Sequence, residues 1–371
     1  MQTISRSAVL LLCAFFAGAL AQQSPSNQQS PSNQELPASQ EPPSADDMIK
    51  VPVNVVVAPT TVTDKVGDFV SGLQPGDFSL YDNQHSQRIS VDVTYRPISL
   101  VVAVQANNMV EDILPKIQKM GNLLDALVVG QAGEVAVIAF DHRIRTILDF
   151  TTDSGKISDA LKKITAGSSS SRMIDATSDA IRMLRTRSDD RRRILLLISE
   201  KRDIASSGRM KETLNYAQLS NVTVYSVDIS HVMANLTGHP VPSVPPPIPP
   251  EATHIGNGTT ATPNDIDQNW NIGNWEPAMH EIFDEAKRPF TKNPMDAFTG
   301  LTGGREFSFV SQNALEHVLT QLGEELHSQY FLSYHPDDLG EPGFHNIRVE
   351  VDRGGLTIRT RPGYWVAGAA Q

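Results

Sequence analysis

Three regimes of apolar and polar positions succeed one another along the chain. Between 48 and 98, "IKVPVNVVV" (49–57) and "ISVDVTY" (89–95) place β-branched residues at or near alternate positions, and "TDKVGD", "LQPGDFSLYD" and "YDNQHSQ" supply turns. From 99 the period changes. Apolar runs "EVAVIAF" (134–140), "RRILLLIS" (192–199) and "VTVYSVDI" (222–229), with the run ending at Gln105, read as strands. Amphipathic stretches lie between them: "EDILPKIQKMGNLLDALV" (111–128), "KISDALKKI" (156–164), "DATSDAIRMLRTR" (175–187) and "RMKETLNYAQLS" (209–220). A helix with a Ser311 cap is expected over 311–329. Alternation then returns in "YFLSYHP", "HNIRVEVD" and "LTIRTRPGYW".

Apolar strands alternating with amphipathic helices predict an α/β domain over 99–327, with a doubly wound, mostly parallel sheet covered on both faces. The β segments 48–98 and 328–366 are each too small for a good core. They are expected to form one small β-sandwich from both chain ends, with the α/β domain inserted between them. Residues 232–275, rich in Pro, Thr and Gly, read as an irregular excursion. Residues 22–47, with "QQSPSN" in tandem, read as a disordered low-complexity tether.

The first 21 residues read as a secretory signal peptide. Arg6 precedes an apolar run too short for a good spanning helix, and Ala19-Leu20-Ala21 is a small-x-small cleavage site. Cys13, the only cysteine, lies inside this segment. The expected mature chain therefore has no thiol chemistry and no disulfide, and it belongs outside the cytoplasm, secreted or in the periplasm or envelope. The net charge of −11 argues against nucleic acid as a partner. No phosphate-binding Gly-rich loop, nucleophile elbow or dinucleotide fingerprint occurs, and "HEIFDE" (280–285) lacks the second histidine of a zinc helix.

The phrases "TVTDKVGDFVSGLQPGDFSLYDNQHSQRI", "VAVIAFDHRIRTILDFTTD", "LTGGREFSF" and "ELHSQYFLSYHPDDLGEPGFHNIRVEV…RTRPGYW" give the chain a likeness over about 50–365. It resembles the von Willebrand factor A-related family of acidobacterial type. The resemblance implies a von Willebrand factor A fold, secretion and a role in binding. In the ordinary A-domain an Asp-x-Ser-x-Ser loop, a Thr and a later Asp hold Mg²⁺ or Mn²⁺. Carried over, these positions are Gln105, Asn107 and Met109, then Ser171, then Glu200. Only Ser171 and Glu200 keep suitable chemistry. Two neutral amides and a soft thioether do not suit a small hard cation, so the resemblance implies a degenerate metal site and no cofactor.

The same loop has a plain structural reading. Asn108 and Glu111 stand at capping-box spacing, and Gln105 reads as an amide satisfying backbone groups at a strand end. Asp141 reads as a turn cap, or else as part of a polar cluster at the top of the sheet. "RTRSDDRRR" (185–193), with both signs of charge, reads as a solvated loop. Asn108, Asp141, Trp270 and Trp275 are the candidate contacts for a protein partner. The leading expectation is a non-catalytic protein-binding module, with a divalent-metal-dependent adhesion module second and a hydrolase of unrecognised type third. The sequence leaves the oligomeric state open.

Overall fold

The structure is a computed structural model and describes residues 55–92, 96–121, 123–124, 133–230, 293–308, 311–337 and 343–366. The expected signal peptide (1–21), tether (22–47) and excursion (232–275), with Trp270 and Trp275, lie outside the described residues.

The chain enters through strands β1 (Val56–Thr63), β2 (Phe78–Asp82), β3 (His85–Gln87) and β4 (Ile89–Asp92). Strands β5 (Ile98–Gln105), β6 (Glu134–Phe140), β7 (Ile144–Thr151), β8 (Arg192–Ser199), β9 (Val222–Asp228) and β10 (Glu306–Ser308) build the central sheet. Helices α1 (Leu114–Ile117), α2 (Ser154–Lys162), α3 (Met173–Arg185), α4 (Met210–Leu219), α5 (Pro294–Thr302) and α6 (Gln312–Ser328) are interspersed with them. Strands β11 (Tyr330–Tyr334), β12 (Gly343–Val351), β13 (Thr357–Arg359) and β14 (Gly363–Val366) end the described chain.

The central sheet has the order β10-β9-β8-β5-β6-β7. All its pairings are parallel except β6 with β7. Period-2 geometry sends successive side chains to opposite faces. Val102, Val104, Val137, Leu196 and Tyr225 pack with Ile117, Ile157, Leu161 and Leu319 on one face. Val101, Ala103, Ile138, Leu195 and Val224 pack with Ile181, Leu184, Leu214 and Phe298 on the other. Both faces are thus covered by helices, and every residue of β5, β6 and β9 is buried. This is the doubly wound domain that the alternation predicts.

The two β flanks combine. One antiparallel sheet has the order β13-β1-β11-β4 and the other β14-β12-β2-β3, so each sheet takes two strands from either end of the chain. Val56, Ala58 and Leu332 from the first sheet share one buried cluster with Leu80, Val349 and Tyr364 from the second. The β2–β3 hairpin turns through Asn83 and Gln84, both with positive φ (46° and 71°), as a right-twisted two-residue turn requires.

Two local expectations change. The described part of the stretch 111–128 does not begin as one continuous helix. A 3-10 turn over Asn108–Val110 is followed by α1 and a second 3-10 turn over Gln118–Met120. Pro115 explains the break: it has no amide hydrogen and its ring would meet the carbonyl of residue 111, so it opens α1 instead of continuing an earlier helix. The Asn108–Glu111 capping box is absent. The cap position is Asn107, whose side chain makes no capping hydrogen bond.

The arginine run is also tied down. Arg187 makes a two-pronged contact with Glu134 (2.8 and 3.1 Å), Arg191 donates to Ser99 Oγ (2.8 Å), and Arg193 donates to the Ser220 carbonyl (3.1 Å). Charge composition suggests solvent there, but the arginines' partners lie on other strands and loops.

Candidate functional site

In an open α/β sheet, ligands meet the crevice beyond the strand ends where the winding direction reverses. Here β5 and β8 are neighbours. The chain moves outward from β5 to β6 and β7 on one side, and from β8 to β9 and β10 on the other. Gln105 ends β5 and Glu200 follows β8, so the topology brings both to the switch point.

Gln105 is fully buried (0% exposed) and uses all of its amide. Its Oε1 accepts from Ser199 Oγ (2.7 Å) and from the Glu200 amide (2.9 Å). Its Nε2 donates to Asn107 Oδ1 (3.1 Å) and to Glu200 Oε2 (3.2 Å). A partly positive NH₂ group thus stands between oxygen acceptors of the β5 loop and the β8 loop. It forms a cross-link between the two loops from neutral amide chemistry.

The third loop, 165–171, is fastened to both. Gly167 N donates to the Ala106 carbonyl (2.7 Å), Asn108 N to the Ser168 carbonyl (2.9 Å), and Asn107 Nδ2 to the Ser169 carbonyl (3.4 Å). Asp141 is buried beneath this loop (3% exposed) and accepts from the amides of Arg143 (2.7 Å) and Ser168 (3.2 Å). Burial alone would raise its pKa. The two amide bonds and the nearby His142 and Arg145 outweigh burial and hold the carboxyl below its ordinary value. Asp141 therefore fixes a turn, in line with its reading as a turn cap. A Cβ on Gly167 would lie 1.7 Å from Asp141 Oδ2, so any other residue here would displace the Asp141 carboxylate from the turn it holds.

Ser171 is buried, its carbonyl accepts from the amides of Ile204 (3.0 Å) and Ala205 (3.1 Å), and its hydroxyl has no hydrogen-bond partner among the described residues. Asn108 and Met109 are exposed at the crest of the loop, Met109 by 44%.

The donor set does not fit a Mg²⁺ centre. Ser171 offers one unengaged oxygen and Glu200 one carboxylate. The Gln105 amide takes the bridging place between the two loops, and Met109 brings sulfur.

Sequence reasoning missed two further groups at this end of the sheet. Buried Asp203 accepts from the amides of Met173 (2.7 Å) and Ile174 (3.4 Å), and so caps α3 from another loop. Burial pushes its pKa up. Lys201 spans Asp228 Oδ2 (3.3 Å) and Glu306 Oε1 (2.8 Å), joining the ends of β8 and β9 to β10. Burial would lower the lysine pKa, but Glu306 and Asp228 raise it. Asp228 ends an apolar strand, so the rule that singles out Gln105 would also have found it.

Residues 103–201 match the family described as von Willebrand factor type A domain. A comparison with curated proteins gave no match. Among solved structures, the chain is similar to an aerotolerance-related membrane protein from Bacteroides fragilis, at 14% identity and a TM-score of 0.37 over 62% of this chain and 98% of that one. The conserved hypothetical protein BatB from Bacteroides thetaiotaomicron is similar at 16% identity and a TM-score of 0.35, with 62% and 98% covered. The vWF domain of the type V pili tip protein Mfa5 from Porphyromonas gingivalis is similar at 14% identity and a TM-score of 0.27, over 30% of this chain. This chain spans 40% of the length of that pilus tip chain. The matched segment runs from β5 through β8 and contains Gln105, Asn107, Met109, Ser171 and Glu200. The match to the von Willebrand factor type A domain thus lies on residues 103–201 of the central, doubly wound α/β unit.

Proposed function

We propose that the protein is a non-catalytic, secreted or envelope-located module that binds a protein partner through the crest above β5 and β8 without needing a divalent ion. The observation that carries this reading is the Gln105 amide between Asn107 Oδ1 and Glu200 Oε2. It gives the loops a fixed arrangement by themselves, so the crest is preorganised for a partner. Asn108 and Met109 are the exposed groups of that crest, and a flexible thioether suits an adaptable protein contact. Among the described residues, no helix is long and apolar enough to cross a membrane, and no group of three or more His, Cys, Asp or Glu stands together as a metal set. The expected signal peptide supports a place outside the cytoplasm.

Capture of partners from the native envelope fraction tests the reading. The wild-type chain should retain a partner equally with and without EDTA, and Met109→Asp should weaken retention while leaving the melting curve unchanged. Retention that EDTA abolishes would favour the metal-dependent adhesion reading. Retention indifferent to Met109→Asp would move the contact away from the crest.

A further inference from the structure

At the opposite end of the sheet, a cleft of about 510 Å³ opens between the strand beginnings of β8 and β9 and the flanking β sheets. Its volume falls in the range of small-molecule sites. Six arginines line it: Arg96, Arg185, Arg191, Arg192, Arg193 and Arg361. Among the described residues the only carboxylate in the lining is Asp189, and the chain as a whole carries a net charge of −11. A local excess of cations in an acidic protein needs a cause.

Internal ion pairs do not supply one. Arg96 meets Asp92 (2.6 Å), Arg191 meets Glu134 (3.2 Å) and Arg193 meets Asp189 (2.5 Å). Those pairs engage Arg96, Arg191 and Arg193, and none of them reaches Arg361. Arg191 and Arg193 are also held by the neutral carbonyls of Ile98 (3.0 Å) and Ser220 (3.1 Å), and Arg361 by that of Gln218 (3.3 Å). A carbonyl fixes the plane of a guanidinium but leaves its charge in place. The donors are therefore preorganised, which lowers the entropic cost of receiving a ligand.

Arg361 is the most telling of the six. It is 3% exposed, its Nε has no hydrogen-bond partner, and no carboxylate among the described residues lies within ion-pair distance. Burial pulls its pKa down to about 10, against the smaller opposing pull of Tyr334, Tyr364 and Asp82. A buried cation with no contacting counter-charge is costly unless an anion joins it. Phe331, Ile194 and Leu219 add apolar wall to the same cleft, so the space also suits a carbon skeleton.

We propose that this cleft binds a small organic anion bearing two or more phosphate or carboxylate groups, with Arg361 at the floor and Arg96 and Arg185 at the rim. The two anion types share the oxygen geometry that a guanidinium fork recognises. The site is independent of the crest above β5.

Calorimetry and melting curves of the full chain test the proposal, with sodium phosphate and sodium citrate each compared against sodium chloride at matched ionic strength. At least one of the two anions should bind and raise the melting temperature beyond chloride; a response to phosphate alone assigns phosphate chemistry, and one to citrate alone assigns carboxylate. The double variant Arg96→Gln, Arg185→Gln should weaken binding at least tenfold, since even one lost charge-assisted hydrogen bond is worth about that much. Its melting curve in chloride should be unchanged. Asp189, whose side chain is 94% exposed, offers a test with little risk to folding. Asp189→Asn removes the one repelling carboxylate and should tighten binding about threefold or more. No response beyond chloride to either anion, or equal responses in wild type and both variants, would overturn the proposal.

Discussion

Gln105 shows how one side chain can set the character of a site. Aspartate at a strand end offers only acceptors, so two facing carboxylates need a cation between them. Glutamine offers both donors and acceptors, and here each finds a partner. Replacing it with leucine keeps the bulk but strands Ser199 Oγ, the Glu200 amide and the Glu200 carboxylate in a buried place. Gln105→Leu is therefore expected to lower unfolding stability by about 2–4 kcal/mol, since a buried polar group left unmade costs roughly 1–3 kcal/mol. Urea denaturation measures this, and a loss below about 0.5 kcal/mol would place the amide outside the structural framework. The residue types at Gln105, Asn107 and Met109 are legible in the sequence as unsuited to a hard cation. The hydrogen bond from Gln105 to Glu200 is not, because it joins positions 95 residues apart.

At the scale of elements, the flanking sheets are joined by a polar group as well as by apolar packing. Asp82 ends β2 and accepts from Tyr334 of β11 (2.9 Å) and Tyr364 of β14 (2.8 Å), with His345 Nδ1 of β12 at 3.2 Å. Arg361 also faces the group, over the Tyr364 ring. Burial favours the neutral acid, but the bonds from His345, Tyr364 and Tyr334 outweigh it and hold the carboxyl below its ordinary value of 3.8. A depressed carboxyl contributes stability above its unfolded pKa and loses it as pH falls through the folded value. Stability should thus decline from about pH 5 downward. Asp82→Asn should be less stable at neutral pH and show a shallower acid decline; an unchanged slope in denaturation series would remove Asp82 as a source. The alternation that predicts these strands is local and legible. Asp82 looks like a turn residue in "LYDNQ", and only pairing across the chain ends gives it two tyrosines.

At the scale of the whole molecule, the sequence pattern identifies a doubly wound sheet and two β flanks that need each other, because burial on both faces and insufficient size are compositional facts. It misses how the parts are fastened. Buried Glu325 on α6 accepts from Tyr225 of β9 (2.8 Å), pairs with Arg305 (2.8 Å) and also meets Arg359 of β13, so one carboxylate ties the α/β domain to a flanking sheet. Arg192 at the start of β8 donates to Gln329 (2.7 Å), which reaches Thr61 of β1 (3.3 Å). Such fastenings depend on distant partners that no local period encodes. The same holds at the crest, where the central claim is that an amide does the work of joining the β5 and β8 loops.

The most direct test is the melting temperature in Mg²⁺ for the wild type and for a chain carrying Gln105→Asp, Asn107→Ser and Met109→Ser. A ligand that binds only the folded state stabilises it by about 2.7 kcal/mol at a hundredfold excess over Kd, so a site with Kd near ~0.1 mM shows a clear shift in ~10 mM Mg²⁺. The wild type should show no shift beyond matched ionic strength. The triple variant should gain a metal-dependent shift, because Ser171 and Glu200 can complete its ligand set. A wild-type chain that Mg²⁺ stabilises, and that loses the effect on Glu200→Ala, would contradict the account.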